Sequence, residues 1–99
     1  RWADAVAGYD GVIALEPKFA EAHLGRAVAL KGLARLDEAL ASADRALELK
    51  PESVPAHKCR ASILQAQGRE EEAKASLAKA AEIEAKKPTE AGAKSDPSP

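Results

Sequence analysis

Two histidines, one cysteine and a run of three glutamates are the side chains of this sequence whose types could do chemistry: His23, His57, Cys59 and Glu70 to Glu72. Imidazole and thiolate are zinc ligands, and together they can form a nucleophile and its base; clustered carboxylates serve acid–base steps or hard cations. Their placement argues against each use. His23 and His57 hold the same place in two stretches related by a shift of 34 residues, the step from Pro17 to Pro51. Helices stacked by such a repeat lie about 8 to 10 Å apart, which does not by itself bring two rings onto one ion. Cys59 follows His57 by two residues, and helical neighbours at that spacing point to different faces, so no dyad is built locally. A small, half-buried thiol is the expected role of Cys59. The three glutamates fall in the first turn of a predicted helix, where the macrodipole favours carboxylates. No glycine-rich phosphate loop, nucleophile elbow or metal-binding helix signature occurs. No catalytic residue, cofactor or metal site is expected.

The elements that carry these residues are copies of one unit. Ala22, His23, Arg26, Ala27 and Leu30 recur as Ala56, His57, Arg60, Ala61 and Leu64, and Arg35, Glu38, Ala39, Ser42 and Ala46 recur as Arg69, Glu72, Ala73, Ser76 and Ala80. The same shift backwards sets Asp10 on Asp44 and Leu15 on Leu49. Within the unit from Ala20 to Ser53, Ala20, Leu24, Ala27, Val28 and Leu30 keep helical spacing, and so do Leu36, Ala39, Leu40, Ala43, Ala46 and Leu47. Two helices fill each unit.

These residues, and the stretch from Arg35 to Pro51 above all, resemble the tetratricopeptide repeat: a helical hairpin of this length, small residues where the helices touch, and a proline closing the second helix. The resemblance covers about residues 1–85. It implies an all-α solenoid of antiparallel helix hairpins with about five helices. Composition agrees, because roughly a quarter of the chain is alanine while β-branched and aromatic residues are scarce.

The expected organisation is a repeat array over 1–86 and a disordered tail over 87–99. In the array, 1–19 is the second helix of an incomplete repeat, 20–53 a full repeat, and 54–86 a full repeat ending in a capping helix. The helices are expected at Asp4 to Leu15, Phe19 to Leu33, Asp37 to Leu49, Ser53 to Gln67 and Glu70 to Lys86. The family's glycine at the first hairpin turn is replaced by Ala34, so Gly32 is expected to take over the left-handed residue there. Lys74 and Ala81 replace Leu40 and Leu47, which makes the last helix more polar, as a terminal repeat requires. Because the chain begins in mid-repeat with Arg1, it reads as the C-terminal piece of something longer. Trp2, Tyr9 and Val12 are then expected to be more exposed than their equivalents and to invite self-association through that edge.

A net charge of −1 supplies no surplus of cations for nucleic acid, and no apolar run approaches the roughly 20 residues of a membrane span. With one cysteine and no secretory segment, a soluble cytoplasmic protein is the default reading.

Arg26 and Arg60 stand where the family pattern has an apolar residue facing the hairpin interior, so each requires a partner. Asp10 and Asp44 recur with the same period, whereas Ala78 occupies that place in the last unit. Pairing Asp10 with Arg26 and Asp44 with Arg60, across the junctions, satisfies all four charges. Buried pairs of this kind would each be worth roughly 3 to 5 kcal/mol against removal of one partner.

In proteins that the chain resembles, the first helices of successive hairpins line a concave groove that holds a peptide or helix of a protein partner. The matching positions are Glu21, Leu24, Gly25, Val28 and Lys31, then Pro55, Lys58, Cys59, Ser62 and Gln65. One subclass clamps the C-terminal carboxylate of a chaperone there; Gly25, Pro55 and Cys59 replace the asparagine, lysine and arginine it uses, so that ligand is not expected. Leu24 and Val28 instead suggest a mixed apolar groove, or else simply pack between neighbouring helices. Two functions fit: an interaction scaffold or adaptor with the groove as its working part, or the non-catalytic docking arm of a larger enzyme, such as a glycosyltransferase or sulfotransferase, whose catalytic domain lies upstream.

Overall fold

The computed structural model describes residues 1–86; the tail expected over 87–99 lies outside the described residues. Five helices follow one another: α1 (Trp2–Leu15), α2 (Ala20–Gly32), α3 (Leu36–Leu49), α4 (Val54–Ala66) and α5 (Glu70–Lys86). No strand occurs among the described residues.

The turns between helices repeat as faithfully as the sequence does. At the hairpin tips, Arg35 N–H donates to Leu30 O at 2.9 Å and Arg69 N–H to Leu64 O at 2.8 Å. The residue before each arginine is left-handed, Ala34 with φ 64° and Gly68 with φ 79°. The two tips are therefore the same helix C-cap, once with glycine and once with alanine. Gly32 does not take over the left-handed position: it stays inside α2, and the hydrogen bonds that close the tip force Ala34 itself into the strained region.

Between hairpins, Phe19 N–H donates to Glu16 O and Ser53 N–H to Lys50 O, both at 3.1 Å. His23 Nε2 lies 2.8 Å from Pro17 O and His57 Nε2 lies 2.9 Å from Pro51 O. A carbonyl only accepts, so Nε2 carries the proton in both rings. The histidines thus tie the start of one hairpin to the proline that ends the helix before it. The Ser53 side chain accepts from Ala56 N–H at 3.2 Å and caps α4.

Each helix packs on its neighbour in sequence, and α2 also touches α4, whereas α1, α3 and α5 do not touch one another. The layer of α2 and α4 is therefore the inner, concave one. Alanine makes this closeness workable: Ala39 and Ala46 on α3 and Ala73 and Ala80 on α5 are buried against the first helix of their hairpins. The largest fully buried side chains are Leu30, Ile63 and Leu64. A core built of small side chains places helix backbones close together and leaves the specific bulk to a few positions.

Candidate functional site

The two arginines of the inner layer are the most repetitive feature of the structure. Arg26 Nε donates to Asp10 Oδ1 at 2.6 Å and its Nη1 to Ser42 Oγ at 2.6 Å. One unit later, Arg60 Nε donates to Asp44 Oδ1 at 2.8 Å and its Nη1 to Ser76 Oγ at 2.7 Å. Each guanidinium links the second helix of the preceding unit to the second helix of its own. The structure brings Asp10 to Arg26 and Asp44 to Arg60, across the junctions. It differs from the expectation of burial: the side chains are 27% and 53% exposed in the first pair and 28% and 47% in the second. The aspartates sit on the rim of the junction, where water reaches their outer oxygens. The serines were overlooked as partners, although Ser42 and Ser76 recur with the same period and are themselves buried.

On the concave layer, Val28 is 44% exposed near the middle of α2, while Leu24, Lys31 and Ser62 are half-buried and Gln65 is exposed. Nearly half of the Val28 side chain is open on that layer. Two of the expected groove residues are occupied within their own hairpins: Glu21 accepts from Lys50 Nζ at 2.6 Å, and Lys58 Nζ stands 3.5 Å from Glu84 Oε2. The hydrogen bond from Lys50 holds the Glu21 carboxyl below its usual range. Lys31 makes no ion pair among the described residues. At the N-terminal end of the groove a pocket of about 560 Å³ has Leu24, Leu49, Val54 and Pro55 in its walls and the Glu21–Lys50 pair beside them.

Cys59 is half-buried against the core; burial pushes its thiol up, and the charge of Lys31 pulls it part of the way back. A thiol raised in this way is a poor nucleophile. His57, bonded to Pro51 O, has its ring engaged elsewhere. Among the described residues no three of His, Cys, Asp and Glu converge on a point that could hold a metal ion, and no helix is long and apolar enough to cross a membrane.

The two edges of the array differ. At the N-terminal edge, the Trp2 ring lies where a Cβ on Gly32 would be, and the Tyr9 ring does the same at Gly25. These glycines are seats for aromatic rings, which no spacing in the sequence announces. Trp2 is nevertheless 48% exposed, and with Arg1, Ala5 and Leu33 it lines an open hollow of about 720 Å³. Val12 is exposed, whereas its equivalent Ala46 is buried. At the C-terminal edge Lys74 and Ala81 are exposed, as is Leu77, which stands where Ala43 is buried in the unit before.

Comparison with known proteins agrees with this architecture. The family model described as "Tetratricopeptide repeat" matches residues 20–53 and 60–87. Among solved structures, MamA of MSR-1 is 31% identical with a TM-score of 0.79, over 84% of this chain and 48% of its own. MamA of AMB-1 is 32% identical with a TM-score of 0.79, over 84% of this chain and 49% of its own. The type III secretion translocator chaperone SycD of Yersinia enterocolitica has a TM-score of 0.83 at 22% identity, over 88% of this chain and 66% of its own, a likeness of fold alone. The chain spans about half the length of the MamA chains it matches. No curated protein matches it.

Proposed function

The chain belongs to the tetratricopeptide repeat family, and from that premise we propose that it is a protein-interaction scaffold that holds a peptide or helix of a protein partner on the concave layer of α2 and α4. The observation that carries the reading is Val28, a valine left half in water beside Leu24 on the layer that faces inward. Fully burying such a side chain contributes roughly 1.5 to 3 kcal/mol, and the nearly half of Val28 left in water is open for a partner to cover. Lys31 adds an uncompensated cation one turn further along, and Ser62 and Gln65 offer hydrogen bonds from α4. A partner segment of matching chemistry carries an apolar side chain for Val28 and Leu24, with a carboxylate within reach of Lys31.

The test compares capture of proteins by the immobilised chain with capture by Val28→Glu and Leu24→Glu. Both changes lie on the inner layer, and Val28 is the more exposed of the two; the folding of each variant is checked by helical circular dichroism. Partners retained by the parent chain should be lost from Val28→Glu, while Leu77→Glu on the far edge should keep them. Equal capture by all variants removes the groove from the function.

A further inference from the structure

The charges of the concave layer cancel in pairs until two are left, and those two stand at opposite ends of its apolar stretch. On α2 and α4, Glu21 is held by Lys50 at 2.6 Å, Lys58 stands 3.5 Å from Glu84, and Arg26 and Arg60 are bound to Asp10 and Asp44. Lys31 on α2 and Glu52 in the turn before α4 make no ion pair among the described residues. Glu52 is exposed, at the mouth of the pocket walled by Leu24, Leu49, Val54 and Pro55. That pocket is bounded by α2, α3, α4 and the turn between the last two, so its walls depend on neither end of the chain. Lys31 lies seven residues beyond Leu24 on α2, about 10 Å along the helix, and its charge acts on Cys59 of the neighbouring α4. Val28 lies between the two ends, nearly half of it in water.

We propose, resting on the reading of this layer as a groove for a protein segment, that the groove is dipolar and selects an extended segment of dipolar sequence. The segment seats an arginine or lysine in the pocket at Glu52, lays an apolar side chain over Val28 two residues away, and sets an aspartate or glutamate against Lys31 two residues beyond that. The spacing fits because an extended chain turns alternate side chains to one face and advances about 6.6 Å in two residues, close to the roughly 6 Å along the helix from Leu24 to Val28. The pocket suits a long basic side chain, which buries its aliphatic stem on apolar walls and keeps its charged head at the mouth. There the Glu52 carboxylate is taken by no residue of this chain that the structure describes. An acidic side chain in the pocket would meet that carboxylate with like charge, and a basic one at the other end would meet Lys31 in the same way. Lys31 is half-buried, so salt screens its charge less than that of a fully exposed lysine. A segment of uniform charge is therefore refused at one end or the other, and the order of charges in the segment fixes which way it runs along α2.

Fluorescence anisotropy with short labelled peptides, titrated with the chain up to millimolar concentration, tests this. The peptides share a glycine and serine frame and a central leucine, and differ only two places to either side of it: arginine and aspartate, aspartate at both, arginine at both, or serine at both. The parent chain should bind the mixed peptide about threefold to tenfold more tightly than the serine peptide, the effect of two partly exposed ion pairs. Glu52→Lys, a reversal at an exposed turn residue, should pass the preference to the doubly acidic peptide, and Lys31→Glu should pass it to the doubly basic one. Helical circular dichroism should be unchanged in both; if Lys31→Glu loses helix, Glu52→Lys decides. Val28→Glu should abolish the binding of all four. A parent chain that holds the doubly acidic peptide as tightly as the mixed one, or a ranking that Glu52→Lys does not move, overturns the dipolar groove, while a loss of binding in Val28→Glu still upholds the groove itself. Binding of no peptide, or binding indifferent to Val28→Glu, overturns both.

Discussion

The two junctions of the array, α1 on α2 and α3 on α4, share one polar frame and distribute their volumes differently. Asp10, Arg26 and Ser42 at the first are matched by Asp44, Arg60 and Ser76 at the second, with hydrogen bonds of 2.6 Å at the first and 2.7 to 2.8 Å at the second. The apolar contacts are unlike. At the first junction all bulk is on α1, Trp2 over Gly32 and Tyr9 over Gly25. At the second, the equivalent positions are Leu36 with Ala66 and Ala43 with Cys59, so the larger residue stays on α3 in one pair and passes to α4 in the other. Total volume matters more than which side supplies it, provided the facing residue makes room. The polar frame holds the register common to both junctions, and the volumes make each junction fit only its own partner.

The largest expected effect comes from emptying a seat. Tyr9→Ala should destabilise the first junction by roughly 2 to 3 kcal/mol, less than for a fully buried aromatic because the ring is half-exposed. In urea denaturation it should cost more than Ala43→Gly at the equivalent place. A sharper probe transplants the second pair onto the first. Gly25→Cys alone overpacks the site against Tyr9 by about 1 to 3 kcal/mol, but combined with Tyr9→Ala it should recover much of that loss. Strict additivity of the two changes would show that the ring and the glycine are not matched.

The polar frame should score lower and equally at both junctions. Double-mutant cycles on Asp10→Ala with Arg26→Ala and on Asp44→Ala with Arg60→Ala should each give a coupling of about 1 kcal/mol, since the half-exposed carboxylates are well hydrated when unpaired. A coupling of several kcal/mol at one junction only would break the equivalence of the two. The hairpin tips give a smaller contrast. Ala34→Gly relieves a left-handed alanine and should stabilise by about 0.5 to 1 kcal/mol, whereas Gly68→Ala should destabilise by a similar amount.

The weakest effect is on pH. Hydrogen bonds from Lys50, Arg35 and Arg69 hold Glu21, Glu38 and Glu72 below the usual carboxylate range. A depressed folded-state value means that these pairs stabilise the fold fully above the ordinary glutamate value of about 4.3, and that the contribution is lost as pH falls through the lowered values. Lys50→Gln should flatten the acid limb of the thermal melting temperature slightly. Arg35→Gln and Arg69→Gln should do so to the same degree, because each arginine donates two hydrogen bonds to its glutamate in the same helix-starting position.

Much of this was readable without coordinates, because a period of 34 residues is a statement about geometry: residues one period apart meet equivalent neighbours. The all-α array of helix hairpins follows from it, as do the helix ends near Pro17 and Pro51 and the partnering of two aspartates with two arginines. The serines that complete each arginine's bonding carried the same periodic signal and were readable in principle. Gly25 and Gly32 were not, because a glycine in a helical pattern says only that no side chain is present, and the ring that fills the gap belongs to another helix.

By itself the sequence determined which residues are equivalent and which helices therefore share a frame, since helical spacing and repetition are local properties of the chain. Only the tertiary structure decided what each equivalent residue does: that Ala34 turns left-handed while Gly32 stays helical, that the ion pairs sit on a wet rim, that Glu21 and Lys58 are bound to Lys50 and Glu84, and that Val28 and Leu15 face water. Exposure and partnering depend on how far neighbouring helices splay and where a stack stops covering its own faces. Those distances are set by side chains far apart in the sequence, and no periodicity encodes them.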